Sequence, residues 1–256
     1  MAGGARVAAG AKEDPMNDLQ PPVPADQAPQ SPGVSFAVYH DLIQAIVSAL
    51  EARDPHTAEH SLRVANMVER TCLLMGLPRT QIDAIHMAAH LHDIGKIGIP
   101  DAVLHKHARL TAEERAVLCD HARIGAEIVA ACPALSNVAA MVRHHHERWD
   151  GTGYPDGLAG ARIPLGARII AVCDSIDAML GKRLAKKPLT ERACVQEIFS
   201  NMGTMYDPDI AWFVLKHWDG IVRPVDFRDS GDFDGPSLSA RRSLRCAVPM
   251  LCDCAP

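Results

Sequence analysis

Between Ser35 and about Trp218, apolar residues recur every three or four positions with polar residues between them. That spacing gathers them on one face of an α-helix, whereas a half-buried strand would alternate at every second residue. Val38, Leu42, Ile46 and Leu50, with Ala45 and Ala49 widening the stripe, predict a helix that ends near Arg53, ahead of Pro55. A second helix is predicted from about Thr57 to Met75, with Leu62, Ala65, Val68, Cys72 and Met75 inward and Gly76 as its stop. A third runs from about Thr80 into His92 and is broken at Gly95. Ile97 to Leu110, with Gly98, Pro100 and Asp101, reads as a loop. Thr111-Ala112-Glu113-Glu114 then has the form of a capped helix start, opening a fourth helix that would carry Leu118, His121, Ile124, Ile128 and Val129.

After Pro133, a short helix from Leu135 delivers His144 to Glu147 at its end. The glycine- and proline-containing run from Asp150 to Pro164 reads as a shaped loop. Helices at about Gly166 to Leu180, Thr190 to Met202 and Pro208 to Trp218 complete an all-α bundle. Strand signals are too few and too short to build a sheet. The periodicity stops at both ends: residues 1–33, rich in Ala, Gly and Pro, read as a disordered arm, 34–222 as the folded domain, and 223–256 as a poorly ordered tail. Cys246, Cys252 and Cys254 in that tail lack the paired spacing of a zinc clip and read as free thiols.

Composition narrows the function. A chain of 256 residues, 48% hydrophobic, is ample for one buried core. A formal charge of −5 gives no global basic field of the kind that draws proteins to nucleic-acid polymers, so an anionic ligand must be met locally. Apolar runs are interrupted by charge, as at Arg168, Asp174 and Asp177, which argues against a membrane span. Met1 to Gln20 has no long apolar segment, and the eight cysteines are spread through apolar runs, so the expected compartment is a reducing cytoplasm. Nothing in the pattern specifies an oligomeric state.

Histidine supplies the candidate chemistry. All but His40 and His217 of the thirteen histidines lie between His56 and His146. His92-Asp93 closes an apolar run and is followed at once by Lys96. Imidazole and carboxylate donors suit Zn, Mn and Fe, and donors on several helices can hold more than one ion. Asp93 is the natural bridge between two ions. His92, His60 and Asp174 would complete one shell, and His121, His145 and His146 the other. Two ions about 3.5–4 Å apart activate a hydroxide between them and clamp phosphate oxygens, so phosphodiester hydrolysis fits this set with no separate side-chain base. Lys96 is assigned to a substrate phosphate, and the basic run Lys182, Arg183, Lys186 and Lys187 to a second one. His86 and His90 read as structural, His105 and His107 as solvated, and His144 as a supporting or surface residue.

Three runs sharpen this further: Asp54-Pro55-His56-Thr57-Ala58-Glu59-His60-Ser61, His92-Asp93-Ile94-Gly95-Lys96-Ile97-Gly98-Ile99-Pro100, and His145-His146-Glu147-Arg148-Trp149-Asp150-Gly151-Thr152-Gly153-Tyr154-Pro155. In this order, between about Ala52 and Phe213, they resemble the HD-GYP family, the HD-superfamily phosphodiesterases that open cyclic di-GMP. The resemblance implies an HD-type helical bundle with long loops and a metal centre in its core. It implies two divalent ions or three, Fe or Mn, and hydrolysis of cyclic di-GMP to pGpG and/or GMP. It carries ligand roles onto His60, His92, Asp93, His121, His145, His146 and Asp174, catalytic roles onto Asp93 and Lys96, and phosphate contacts onto Lys96, Arg183 and Lys186.

The chain departs from the family pattern at two points. Members with a third metal have Glu four residues before the first motif histidine; His56 stands there instead, a candidate for a third ion or for a supporting contact. The usual Arg-Pro-Tyr-Arg/Lys run is Arg183-Leu184-Ala185-Lys186, which keeps both cations and lacks the aromatic. Gly153, Tyr154 and Pro155 read as a pocket wall or as a docking surface. Docking of cyclase-type (GGDEF) or other signalling proteins there would make the chain a regulatory module with a retained metal centre. An HD phosphohydrolase acting on another nucleotide is a third reading.

Overall fold

The periodicity is realised as helix after helix, joined by turns and one long loop. A computed structural model describes residues 1, 43, 45–48, 57–106, 108–181 and 188–223. Its helices are α1 (Thr57–Leu74), α2 (Arg79–Leu91), α3 (Asp101–Leu104), α4 (Ala112–Cys119), α5 (His121–Ala130), α6 (Ser136–His144), α7 (Leu165–Leu180), α8 (Glu191–Ser200), α9 (Pro208–Lys216) and α10 (Trp218–Val222), with a 3₁₀ turn at Ile94–Gly98. Among the described residues the only strand-like pairing is an isolated bridge between Met202 and Tyr206, so the chain is all-α as expected. No helix of the described residues is long and apolar enough to cross a membrane.

α1 packs on α2 and α7, α6 on α2 and α5, and the 94–98 turn on α5. At the centre of this arrangement is α7, whose fully buried Ile169, Ile170 and Ile176 share one core cluster with Val64 and Val68 of α1 and Ile198 of α8. Each such side chain contributes about 1.5–3 kcal/mol by leaving water. Helix ends follow local chemistry. Gly76 takes φ +71° and closes α1. Thr111 and Glu114 form a reciprocal capping box at the start of α4. Asp207 caps α9 through the amides of Asp209 and Ile210 and accepts an ion pair from Arg168 at 2.6 Å.

Several inward assignments move. Residues 43 and 45–48 are helical, but Ile43 and Val47 are the buried ones, and Ala45 and Ile46 face outward. Leu62 is exposed, whereas Ala65, Val68 and Cys72 are buried as expected, joined by Val64. The single helix expected after Thr111 is two, because the chain turns at Asp120, whose carboxylate takes both Nε and Nη2 of Arg123. That turn aims His121 inward. Ile128 is exposed, and the buried face of α5 is Ala122, Gly125, Ala126 and Val129. The reason is close approach: a Cβ on Gly95 would strike the carbonyl of His121 and the amide of Gly125, so turn and helix touch backbone to backbone. Gly95 is therefore more than a helix stop. The stretch 97–110, expected as loop, holds the single turn of α3, and Lys106 pairs with Glu114 at 2.6 Å. The readings made on residues 2–42, His56, His107, Lys182, Arg183, Lys186, Lys187 and 224–256 lie outside the described residues.

Candidate metal centre

Helix termination and ring direction are one event at three of the candidate donors. His92 and His145 sit at the C-caps of α2 and α6, and His121 lies just past the end of α4. Each turns its Nδ1 onto a carbonyl three residues back: Ala89 at 2.7 Å, Leu118 at 2.8 Å and Val142 at 2.6 Å. A carbonyl only accepts, so Nδ1–H must donate. The bond satisfies a carbonyl of the last helical turn and leaves each Nε2 with its lone pair directed away from the backbone. His60 enters from the first turn of α1 and Asp174 from the middle of α7, with Nε2 to Oδ1 at 3.1 Å.

These donors gather into two trios, His60–His92–Asp174 and His121–His145–His146, and within each trio the ligating atoms all lie within 4.8 Å of one another. Asp93 stands between them, its Oδ2 3.4 Å from His92 Nε2 and its Oδ1 3.5 Å from His121 Nε2. His121 and His145 approach at 3.4 Å through their Nε2 atoms. All seven residues predicted as ligands are thus brought together. Lys96, predicted as a phosphate contact, places its ammonium 2.6 Å from Asp93 Oδ2.

The electrostatics favour a cation. Burial, reinforced by neighbouring imidazoles, drives His145 well below the ordinary histidine value, and burial pushes His146 down to about 4 against the opposing pull of Asp174. Burial likewise lowers His121, so three rings are neutral at pH 7, the state a ligand needs. Burial would raise Asp93, but Lys96 and then His92 and His121 outweigh it and hold the carboxyl well below its usual range. Asp174 is held ionised in the same way, burial being outweighed by the hydrogen bond from His60 and by His92. Burial disfavours a charged His60, yet hydrogen bonds to Asp174 and Asp177 prevail and raise it to about 9.

The donor set fits divalent ions. His92 Nε2 is fully buried and has no hydrogen-bond partner among the described residues, a costly condition that a coordinated ion relieves. Two ionised carboxylates beside the neutral imidazoles of His121, His145 and His146 match an oxygen- and nitrogen-loving metal. A cavity of about 160 Å³ opens alongside, lined by His145, His146, Asp174, Arg148, Ala178 and Met205 among others.

The glycine-containing loop after His146 forms a wall. The ring of Tyr154 lies 4.9 Å from that of His146, and burial, with Cys119 nearby, pushes its hydroxyl up. Glu147 anchors the loop by accepting from the amides of Asp156 at 2.8 Å and Leu158 at 3.1 Å. Asp156 is in turn held by Arg143 and by His144 Nε2 at 2.9 Å. His144, Glu147 and Asp156 make a third group of potential donors, but their oxygens are already taken by amides and a guanidinium. His144 is thus a supporting residue, as expected. His86 and His90, read as structural, are buried and bonded to each other at 3.0 Å.

Three residues of the site were not singled out from sequence. Asp177 accepts Nδ1 of His60 at 2.7 Å, and Arg63 grips Asp177 through Nε at 2.6 Å and Nη2 at 3.0 Å. Glu147, the third, stands directly after His146 and accepts from the two loop amides. A signal for the first two existed: His60 and Arg63 are three apart on α1, Asp174 and Asp177 three apart on α7, so both pairs share a helix face.

Comparison with known proteins gives a consistent picture. An HD domain model matches residues 44–210. The chain is 39% identical over 184 residues to the 3'3'-cGAMP-specific phosphodiesterase 2 of Vibrio cholerae, covering 71% of this chain and 35% of that protein. It is 40% identical over 187 residues to a cyclic di-GMP phosphodiesterase of Thermotoga maritima, covering 71% of this chain and 51% of that one. The chain therefore spans about half or less of the length of these curated relatives. The HDG"Y"P protein of Bdellovibrio bacteriovorus has the same fold, with a TM-score of 0.55 at 14% identity over 72% of this chain and 63% of that one. Helices, donor arrangement and family match converge: the chain belongs to the HD domain family, and its motifs resemble the HD-GYP group within it.

Proposed function

We propose that this chain is a metal-dependent phosphodiesterase that opens cyclic di-GMP to pGpG and/or GMP. The observation that carries the reading is the pair of donor trios on either side of Asp93. Two divalent ions, Fe or Mn, would be held by His60, His92 and Asp174 on one side and His121, His145 and His146 on the other, with Asp93 available to both; His56 is the candidate for a third. When bound, the ions supply an activated water and positive charge for the phosphate oxygens.

The chain's own residues do the rest. Neutral His121, His145 and His146 keep their lone pairs for coordination. Lys96, already beside Asp93, offers its ammonium to a phosphate oxygen, and Arg183 and Lys186 to the second phosphate. The Tyr154 wall and the cavity beside Asp174 orient the dinucleotide and limit water. A ring turned onto His146 favours Gly153, Tyr154 and Pro155 as pocket wall over docking surface for GGDEF proteins. A cytoplasmic setting fits a cyclic dinucleotide substrate.

The test is turnover of cyclic di-GMP by full-length protein loaded with Mn or Fe, with pGpG and GMP followed by chromatography. Asp93→Ala should abolish turnover and ion binding together; turnover retained in that variant refutes the mechanism. A second substrate, 3'3'-cGAMP, is favoured by the name of the Vibrio cholerae relative. Comparing kcat/KM for the two cyclic dinucleotides decides which is preferred.

A further inference from the structure

The imidazoles of the candidate centre are not oriented alike. His92, His121 and His145 each give Nδ1–H to a backbone carbonyl of their own segment. His60 gives Nδ1–H to the carboxylate of Asp177 at 2.7 Å, across 117 residues of chain. Asp177 is buried, and its two oxygens are fixed by a bidentate Arg63 at 2.6 and 3.0 Å. A carboxylate behind an imidazole fixes its tautomer and makes the outer nitrogen a stronger donor than a neutral carbonyl does. Arg63 holds the carboxylate in one orientation, as a planar guanidinium does best.

Charge is unequal as well. The His60–His92–Asp174 trio contains a carboxylate of its own and has Asp177 one hydrogen bond behind it; the His121–His145–His146 trio contains none. Asp93 is shared by both. Coulomb attraction for a divalent cation is therefore greater on the His60 side.

We infer that the two ion positions are unequal: the His60–His92–Asp174 position holds its ion the more tightly, Arg63 and Asp177 are the positioning pair that makes it so, and the all-histidine position exchanges more readily. This rests on the reading of the site as a two-ion centre.

Titrating metal-stripped full-length protein with Mn²⁺ in a calorimeter tests it. Two classes of site are expected, separated by about tenfold or more. Asp174→Ala should remove the tight class and His146→Ala the weak one, which assigns them. Asp177→Asn should weaken the tight class by about 10–100-fold and leave the weak class in place. Arg63→Ala should weaken it less, and Arg63→Lys less again, because Lys keeps the charge and loses the fork. The Arg63 side chain is about half exposed, so its variants keep the fold, which melting of the metal-free protein verifies. Two ions bound with equal affinity, or an equal loss at both classes in the Arg63 and Asp177 variants, would overturn the inference. Absence of any Mn²⁺ binding by the unaltered protein would instead overturn the two-ion reading beneath it.

Discussion

Two segments frame the donors, and they are held by opposite means. The turn at residues 94–98 is fixed by contact: it lies on α5 so closely that Gly95 meets the carbonyl of His121, and Gly125 meets the amide of Gly95. The segment from His146 to Pro164 is fixed by hydrogen bonds: Glu147 takes two amides, and Arg143 with His144 takes Asp156. Glycine serves the first by having no side chain, and serves the second also by its backbone freedom, as at Gly151 with φ +81°. The packed segment fails when volume is added at Gly95, whereas the bonded one, which also has no room for a Cβ at Gly153, fails in addition when an acceptor is removed.

The largest effect should therefore come from Gly95→Ala. Its methyl group has no space beside two backbone segments, and a cost of about 3 kcal/mol or more is expected in urea denaturation. Because His121 must shift with α5, ion binding at the all-histidine trio should fall too. If Gly95→Ala denatured at the unaltered midpoint, the contrast between the two segments would be broken. Glu147→Gln is next. It sets an amide N–H against one of two backbone N–H groups in a buried position, so a loss of about 1–3 kcal/mol is expected, with faster proteolytic nicking of the loop and ions retained. Tyr154→Phe is the smallest: it removes a mostly buried hydroxyl near Cys119 and keeps the ring on His146, so stability should change by about 1 kcal/mol or less, with ion stoichiometry unchanged in elemental analysis.

Element type and the principal donors were readable because each rests on a local signal. Apolar periodicity marks helices, Thr111 with Glu114 marks a start, Gly76 marks a stop, and the ordered histidine motifs mark a metal centre. Ile46 and Leu62 face outward because bulk alone does not mark the inner face of a helix. Where backbones must touch, the inner face of α5 is small, and periodicity of bulk points the wrong way. The turn at Asp120 escaped notice because the pattern runs on through it while the aspartate–arginine pair that accompanies the turn is polar. Asp177 and Arg63 lie on charged positions that look solvated until α1 and α7 are laid side by side, and only tertiary structure does that.

The differing anchors of the imidazoles also bear on the order of assembly. His92, His121 and His145 are aimed by carbonyls only three residues away, so their geometry forms whenever the neighbouring helix end forms. His60 acquires its direction only when α7 arrives from more than a hundred residues downstream. Such a distant contact closes late, after the entropy of the intervening chain has been surrendered. Uptake of the first ion should thus register the docking of α7, making the cation a latch on a nearly finished molecule rather than a seed for its collapse.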